Sequence, residues 1–302
     1  MADLHDCLVH DCLVHDCLIV GAGPAGLVAA TYLARFRRRI AVVDAGASRA
    51  RRIPTSHNCP GFPLGVSGRA LLERLSEQAE SFGVEIVAGR IDSLRRQDDV
   101  FVAADAHGGH WHARTVILAT GIVDRLPQVA GGDEARETAI DAGVLRLCAV
   151  CDGYEATDER IAVLGPAAEA SRHADFLRTF SRRVDAIDTD SARGLRCDAT
   201  SCTVAFEDGH TREYDTLYPV LGSDAQSDLA RSLGAAVDDE GALHADAHLQ
   251  TSIDGLYAIG DVVSALNQIA VAVGHAAIAA TAVHNRLPGN PRQRLLNFIR
   301  GN

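Results

Sequence analysis

The sequence predicts an α/β fold made of two Rossmann-like domains, the second inserted into the first. The chain has 302 residues, of which 47% are hydrophobic, and this suits two compact domains of ordinary size. A strand-like run, a glycine turn and a helix-like segment follow one another from Cys17 and again from Ile161. The segment after Gln250 returns to the pattern of the first unit and ends in a long alanine-rich helix.

These units predict the domain boundaries. We assign residues 1–14 to an N-terminal extension, residues 15–122 and 246–302 to the first domain, and residues 123–245 to the inserted domain. Three tandem His-Asp-Cys units open the chain: two lie in the extension, with Cys7 and Cys12, and the third, with Cys17, begins the first domain. Their five-residue spacing matches neither one helix face nor one strand face, so we interpret them as a duplicated strand sequence and predict no metal site.

Charge and hydropathy exclude several classes of partner. The 29 Lys and Arg against 40 Asp and Glu give a net charge of −11, and no basic block that could follow a phosphate backbone is visible. The two most apolar stretches, 17–34 and 269–283, are interrupted by Gly, Pro or His and do not predict a transmembrane helix. The N-terminus has acids where a secretory signal needs basic residues. We therefore expect a cytoplasmic protein without nucleic-acid or membrane partners.

The first glycine turn predicts a dinucleotide site. Gly21, Gly23 and Gly26 follow a strand and open a helix, with Pro24 in its first turn. Gly21 permits the tight turn, Gly23 allows the backbone to approach a pyrophosphate, and Gly26 allows close helix–strand packing. Asp44 ends the next strand, where it can accept a ribose hydroxyl.

A second pattern, Cys148-Ala-Val-Cys151, carries redox chemistry or half of a zinc site. A structural zinc needs two further ligands, and the Cys197/Cys202 pair has a CxxxxC spacing that makes a poor second half. The pattern therefore favours a redox-active pair. Asp152 follows at once, and it either manages protons for the thiols or only shapes the turn before Gly153.

Five motifs together resemble the thioredoxin-reductase-like two-domain flavoproteins: GAGPAG at 21–26, HNCPG at 57–61, ILATG at 117–121, CAVCDG at 148–153 and GLYAIGD at 255–261. The resemblance covers nearly the whole chain after the repeat and implies FAD as the cofactor and a homodimer. In that family the residue matching Asp261 holds the ribityl chain, and the segment from Gln268 starts a helix that points at the flavin. The residues assigned to FAD are Gly21, Gly23, Pro24, Ala25, Gly26, Asp44, Ala45, Arg49, Asn58, Ala119, Thr120, Gly121, Gly260, Asp261, Gln268, Ile269 and Ala270.

The resemblance also implies catalytic roles. Cys151 would lie nearest the flavin, Cys148 would exchange with substrate sulfur, and Asp152 would move protons. His275, on the alanine-rich helix beside the expected flavin edge, is a candidate base, with a packed or solvated histidine as the alternative.

The second nucleotide turn departs from the reductase pattern. Ala167 stands where the second glycine would admit the pyrophosphate, and Glu169 places a carboxylate at the start of the following helix. The next strand ends in Asp188, where NADPH users in the family carry arginines, and Arg193 is the nearby cation that could compensate. We therefore expect loss of nicotinamide binding, although Asp188 could still hold an NADH ribose.

These departures, with the segments 44–49, 56–58 and 267–285, make the chain resemble the branch of small dithiol oxidases that form the disulfides of gliotoxin, holomycin and romidepsin. The expected reaction oxidises a small-molecule dithiol, with O2 as the acceptor and H2O2 as the product. The alternatives are a thioredoxin reductase that takes electrons from NADPH or ferredoxin, and a flavin-binding redox sensor without turnover.

Overall fold

A computed structural model describes residues 14–263 and 266–291. The first two copies of the tandem repeat therefore lie outside the described residues, apart from Val14, and the third copy, 15–19, lies within β1. The first unit is built on a seven-stranded sheet in which β1 lies between β2 and β6. Its strands are β1 (Val14–Val20), β2 (Ile40–Asp44), β3 (Ile86–Ala88), β4 (Ser93–Gln97), β5 (Val100–Ala104), β6 (His110–Leu118) and β15 (Leu256–Ala258).

Both faces of this sheet are buried. Cys17 and Ile19 of β1 point to one core, and Leu18 and Val20 point to the other, because successive side chains of a strand alternate between faces. Three helices cover the first of these faces: α1 (Pro24–Arg35), α2 (Gly68–Glu80) and α7 (Ile269–Arg286). The small side chains of α1 and α7 allow these two helices to pack closely together.

The inserted unit has a three-stranded parallel sheet and an antiparallel three-stranded meander. A short antiparallel pair, β7 with β14, connects it to the first unit. Its elements are β7 (Ile122–Asp124), α3 (Gly132–Asp141), α4 (Ala149–Asp152), β8 (Arg160–Gly165), α5 (Ala167–Leu177), β9 (Arg183–Asp188), β10 (Ala192–Cys197), β11 (Cys202–Phe206), β12 (Thr211–Tyr214), β13 (Thr216–Pro219) and β14 (Ser223–Ala225). The α/β architecture with helices on mixed sheets is the predicted one.

The core contacts indicate that the inserted unit ends before residue 245, the predicted boundary. Ala230, Ala235 and Leu243 pack with Leu18 and Val116 in the first core, and the short helix α6 (Asp228–Arg231) belongs to the same layer. The chain thus returns to the first unit directly after β14, so the packing favours a boundary near residue 226. Within the described residues, none of the helices combines the length and apolarity needed to cross a membrane.

Candidate active site

One open cavity of about 370 Å³ lies at the carboxyl ends of β1 and β2 and extends to the redox pair of the inserted unit. Its volume is within the usual range for small-molecule sites, about 300–1,000 Å³. All of the residues assigned to FAD line it except Gly26 and Ala270, and Cys148, Cys151 and Asp152 line it as well. The structure therefore brings the predicted cofactor residues and the predicted redox residues to a single space.

The glycine turn has the geometry that its spacing predicts. Gly21 has a φ of +102°, and a Cβ there would lie 2.4 Å from the carbonyl oxygen of Ala119. A Cβ on Gly26 would lie 1.9 Å from the carbonyl oxygen of Gly21, so this glycine lets α1 approach β1 closely although it does not line the cavity. At Gly23 the only atom near a Cβ would be the Ser48 hydroxyl oxygen, at 3.3 Å, which leaves room for an approaching phosphate.

Asp44 fixes the turn from the end of β2. Its carboxylate accepts hydrogen bonds from the amides of Ala22 (2.8 Å) and Gly46 (3.0 Å). Each oxygen keeps a second lone pair, so the side chain can still accept a ribose hydroxyl. The Asp44 carboxylate therefore links the glycine turn to the end of β2. It is also the group that the sequence assigns to the ribose.

Cys148 and Cys151 form a disulfide at the start of α4, with Cys148 as the residue before the helix. Gln268 reaches this pair from the first unit: its amide nitrogen lies 3.2 Å from the Cys151 sulfur and 3.7 Å from the Cys148 sulfur. The Asn58 side-chain nitrogen donates a hydrogen bond to the side-chain oxygen of Gln268, at 2.9 Å. The chain Asn58–Gln268–Cys151 therefore connects the flavin-assigned residues to the redox pair, a link that the sequence did not indicate.

Asp152 lies in the cavity wall directly after Cys151. Burial raises the pKa of Asp152 to about 6, although the nearby Arg146 and a hydrogen bond from Tyr218 act in the opposite direction. The sequence indicated neither contact: Tyr218 is 66 residues away on β13, and Arg146 lies in the loop before α4. A carboxyl with this pKa can accept and release a proton near neutral pH.

The family profile of the pyridine nucleotide-disulphide oxidoreductases matches residues 15–193 and 179–276, two overlapping segments that together span most of the chain. The chain belongs to this family. Among its relatives, the thioredoxin reductase of Peptoclostridium acidaminophilum is 27% identical over 90% of this chain and 96% of its own length. The thioredoxin reductase of Streptomyces clavuligerus is 29% identical over 81% of this chain and 85% of its own.

The solved structures similar to this chain also include a thioredoxin reductase. The thioredoxin reductase of Streptococcus pyogenes superposes with a TM-score of 0.81 at 27% identity, covering 90% of this chain and 97% of its own. The structure of HlmI superposes with a TM-score of 0.79 at 26% identity, covering 91% of this chain and 94% of its own. This pyridine nucleotide-disulphide oxidoreductase is therefore an enzyme of the thioredoxin-reductase type with a redox-active cysteine pair.

Thioredoxin-reductase-like members of the family bind FAD, and the cavity fits this cofactor. The side-chain oxygen of Asn267, which lines the cavity, is buried without a hydrogen-bond partner in the described part of the chain. The carboxyl of Asp261 is buried at the same wall, which raises its pKa. Polar groups aimed into a cavity beside a glycine-rich turn are the donor and acceptor set that a ribityl and pyrophosphate chain requires.

In the structure Arg49 pairs with Asp124, whereas the sequence assigns Arg49 to the cofactor. Its guanidinium makes two hydrogen bonds to the Asp124 carboxylate, at 2.7 and 3.0 Å, and both side chains are largely buried. Arg49 lines the cavity, yet this bidentate pair joins the first unit to β7 at the connection between the units. A planar guanidinium held in this way acts first as a structural contact.

Both histidines near the cavity make structural contacts. His275 does not line the cavity, and its Nδ1 atom accepts a hydrogen bond from the amide of Gly260 at 3.3 Å. Burial lowers the pKa of His275, and its contact with Gly260 holds the segment before Asp261. His57 pairs with Glu155 at 3.0 Å and joins the HNCPG loop to the segment after the redox pair. Ala270 lies exposed beside the cavity in the first turn of α7.

Charged side chains near the second nucleotide turn form ion pairs with other residues of the chain. Glu169 lies in the first turn of α5, and its ion pair with Arg172 lowers the pKa of the carboxyl, which therefore stays ionised. Arg193, the cation that could have compensated, pairs with Glu207 and donates to the backbone oxygen of Asp190 at 2.9 Å. Among the described residues no group of three or more His, Cys, Asp or Glu could hold a metal ion.

Proposed function

We propose that this enzyme is an FAD-dependent dithiol oxidase that forms a disulfide in a small-molecule dithiol and uses O2 as the electron acceptor. The observation that carries the proposal is the ionised Glu169 in the first turn of α5. The start of this helix is where a Rossmann-type domain binds the phosphates of a dinucleotide, and a carboxylate there repels them. The redox pair, in contrast, shares a cavity with an intact flavin site.

The first half of the reaction is a thiol–disulfide exchange. One substrate thiol gives its proton to a base, and the resulting thiolate attacks the Cys148 sulfur. The Cys148–Cys151 bond breaks, and its electron pair leaves on Cys151 as a thiolate. The second substrate thiolate then attacks the mixed disulfide, which releases the cyclic product and a reduced cysteine pair.

The second half returns the pair to the disulfide. Bound FAD would supply the two-electron acceptor for the reduced cysteines and the route for these electrons to O2, which would yield H2O2. The net reaction, R(SH)2 + O2 → RS2 + H2O2, balances in atoms and electrons. Gln268 orients Cys151 through its 3.2 Å contact, and Asp152 carries a proton between substrate and cysteine thiols.

Two further observations support this branch of the family. The segments 44–49, 56–58 and 267–285 resemble the small dithiol oxidases, and the solved structures similar to this chain include HlmI, the neighbour associated with holomycin. The second candidate function is a thioredoxin reductase. The names of the curated relatives favour it, as does Asp188 at the end of β9, which could accept the ribose hydroxyls of NADH.

An anaerobic titration of the purified yellow protein separates these two functions. We expect dithiothreitol to bleach the flavin absorbance, NADPH and NADH to leave it unchanged, and air to restore it with one H2O2 per dithiol. Rapid bleaching by NADPH would contradict the oxidase and establish a reductase. Bleaching by reduced ferredoxin alone would identify the ferredoxin-dependent variant, and absence of repeated dithiol turnover would identify a redox sensor.

A further inference from the structure

We propose that Tyr218 is a positioning residue, which holds the Asp152 carboxylate toward the redox pair and keeps it available as a base. The inference rests on the proposed thiol–disulfide exchange, but it concerns a residue that none of the sequence motifs contains. Tyr218 lies in β13 of the inserted unit and is only 1% exposed. Its hydroxyl donates to the Asp152 side chain at 2.9 Å.

The hydroxyl of Tyr218 and the guanidinium of Arg146 hold the same turn of backbone. The main-chain oxygen of Asp152 lies 3.2 Å from the Tyr218 hydroxyl and 2.8 Å from Arg146 Nη1. Arg146 is anchored in turn, because its Nε atom donates to the Gly143 carbonyl at 2.7 Å. The end of α4, which carries Cys151 and Asp152, is therefore fixed through both backbone and side chain.

The charges around Asp152 determine what this hydrogen bond does. Arg146 and Arg49 favour the carboxylate, whereas Glu155, which is paired with His57, disfavours it. Burial raises the pKa of Tyr218 well above its usual range, so the phenol remains a donor at every pH at which the enzyme would be assayed. A donor that stays protonated stabilises the charged form of Asp152 more than the protonated form.

The exchange reaction needs Asp152 in its ionised form, which the Tyr218 hydroxyl stabilises. A substrate thiol transfers its proton to the Asp152 carboxylate while the thiolate sulfur bonds to Cys148 and the electron pair of the old disulfide passes to Cys151. Only the ionised carboxyl can accept this proton. Without Tyr218 the carboxyl would be protonated over a wider pH range, and a smaller fraction of the enzyme would be competent at low pH.

The test is the rate of anaerobic reduction of the Cys148–Cys151 pair by dithiothreitol in the FAD-loaded wild type and in Tyr218→Phe between about pH 5 and about pH 9. The rate is read by quenched thiol alkylation and mass spectrometry. Dividing the two rates at each pH cancels the ionisation of dithiothreitol. We expect the variant to be about tenfold slower at the acid end and within about twofold of wild type at the alkaline end, since loss of one hydrogen bond to a charged group corresponds to about one pKa unit.

Tyr214→Phe is the matched control, because Tyr214 is also buried and also donates to a carboxylate, Asp185 at 2.9 Å, but outside the cavity. We expect its pH profile to equal that of the wild type. A Tyr218→Phe profile that matches wild type, or that is lowered equally at every pH, would overturn the proposal. If Tyr218→Phe loses FAD or unfolds, Asp152→Asn supplies the test. In this variant the decrease in reduction rate toward acid pH that Asp152 causes must disappear, and a decrease like that of the wild type would overturn the proposal.

This design separates the inference from the proposed function. The exchange half-reaction requires neither O2 nor NADPH, so it can be measured whether the enzyme is an oxidase or a reductase. Failure to produce H2O2 from a dithiol would contradict the oxidase and leave the Tyr218 profile as an independent result.

Discussion

Replacing Cys151 with serine should lower dithiol turnover by a factor of about a thousand or more, while FAD remains bound. Cys148→Ser should have the same effect. A single remaining thiol leaves no disulfide for the substrate thiolate to attack, so the exchange cannot start and no electrons reach the pair. Oxygen consumption with dithiothreitol measures the loss, and the ratio of flavin to protein absorbance confirms that the fold and cofactor are kept.

The chain offers its own control for this experiment. Cys197 and Cys202 form a second disulfide between register partners of β10 and β11, and both are buried in the core of the inserted unit. A Cys197→Ala, Cys202→Ala double variant removes a disulfide without touching the cavity. We expect turnover to be kept and the unfolding temperature to fall. Near-normal turnover in either Cys148→Ser or Cys151→Ser would instead contradict the exchange mechanism.

Local structure was predictable wherever one pattern specifies it. The strand that ends at Asp44, the helix that begins at Pro24 and the helix after Pro166 follow from apolar runs, glycine spacing and a proline in the first helical turn. The Asp208-Gly209 turn between β11 and β12 has the positive φ at Gly209, +83°, that a glycine in a hairpin turn accommodates. Each of these features is determined by residues that are close together in sequence.

The contacts that define the chemistry of the cavity were not predictable in this way. Tyr218 and Asp152 are 66 residues apart, and Arg49 and Asp124 are 75 apart. Nothing in a strand sequence such as LYPV shows that its tyrosine will reach a carboxyl on a different element. Asp124 pairs with Arg49 only because the fold brings β7 beside the first unit. Tertiary packing sets such pairs, and composition and periodicity do not encode them.

A second large effect is expected at Gly26, where an added methyl group has no space. The Cβ of Gly26→Ala would lie 1.9 Å from the Gly21 carbonyl oxygen and 3.2 Å from the Ala119 Cβ atom. The first contact is with backbone, so α1 must move away from β1 and the glycine turn must change with it. We expect the free energy of unfolding to fall by about 1–3 kcal/mol, as in other overpacked cores, and FAD to be lost. Denaturant unfolding and the flavin-to-protein absorbance ratio measure the two effects.

Gly274→Ala distinguishes this steric effect from the general consequence of replacing a helical glycine. Gly274 is exposed in the middle of α7, and a Cβ there would meet nothing within 4 Å. Because alanine favours the helix over glycine, this variant should gain up to about 1 kcal/mol and keep its FAD. Opposite signs for the same substitution in two helices would show that the close approach of α1 to β1 forms the cofactor site. If Gly26→Ala retained both full stability and full FAD content, the glycine turn could not depend on that approach, and the assignment of Gly21, Gly23 and Gly26 to the cofactor would fail.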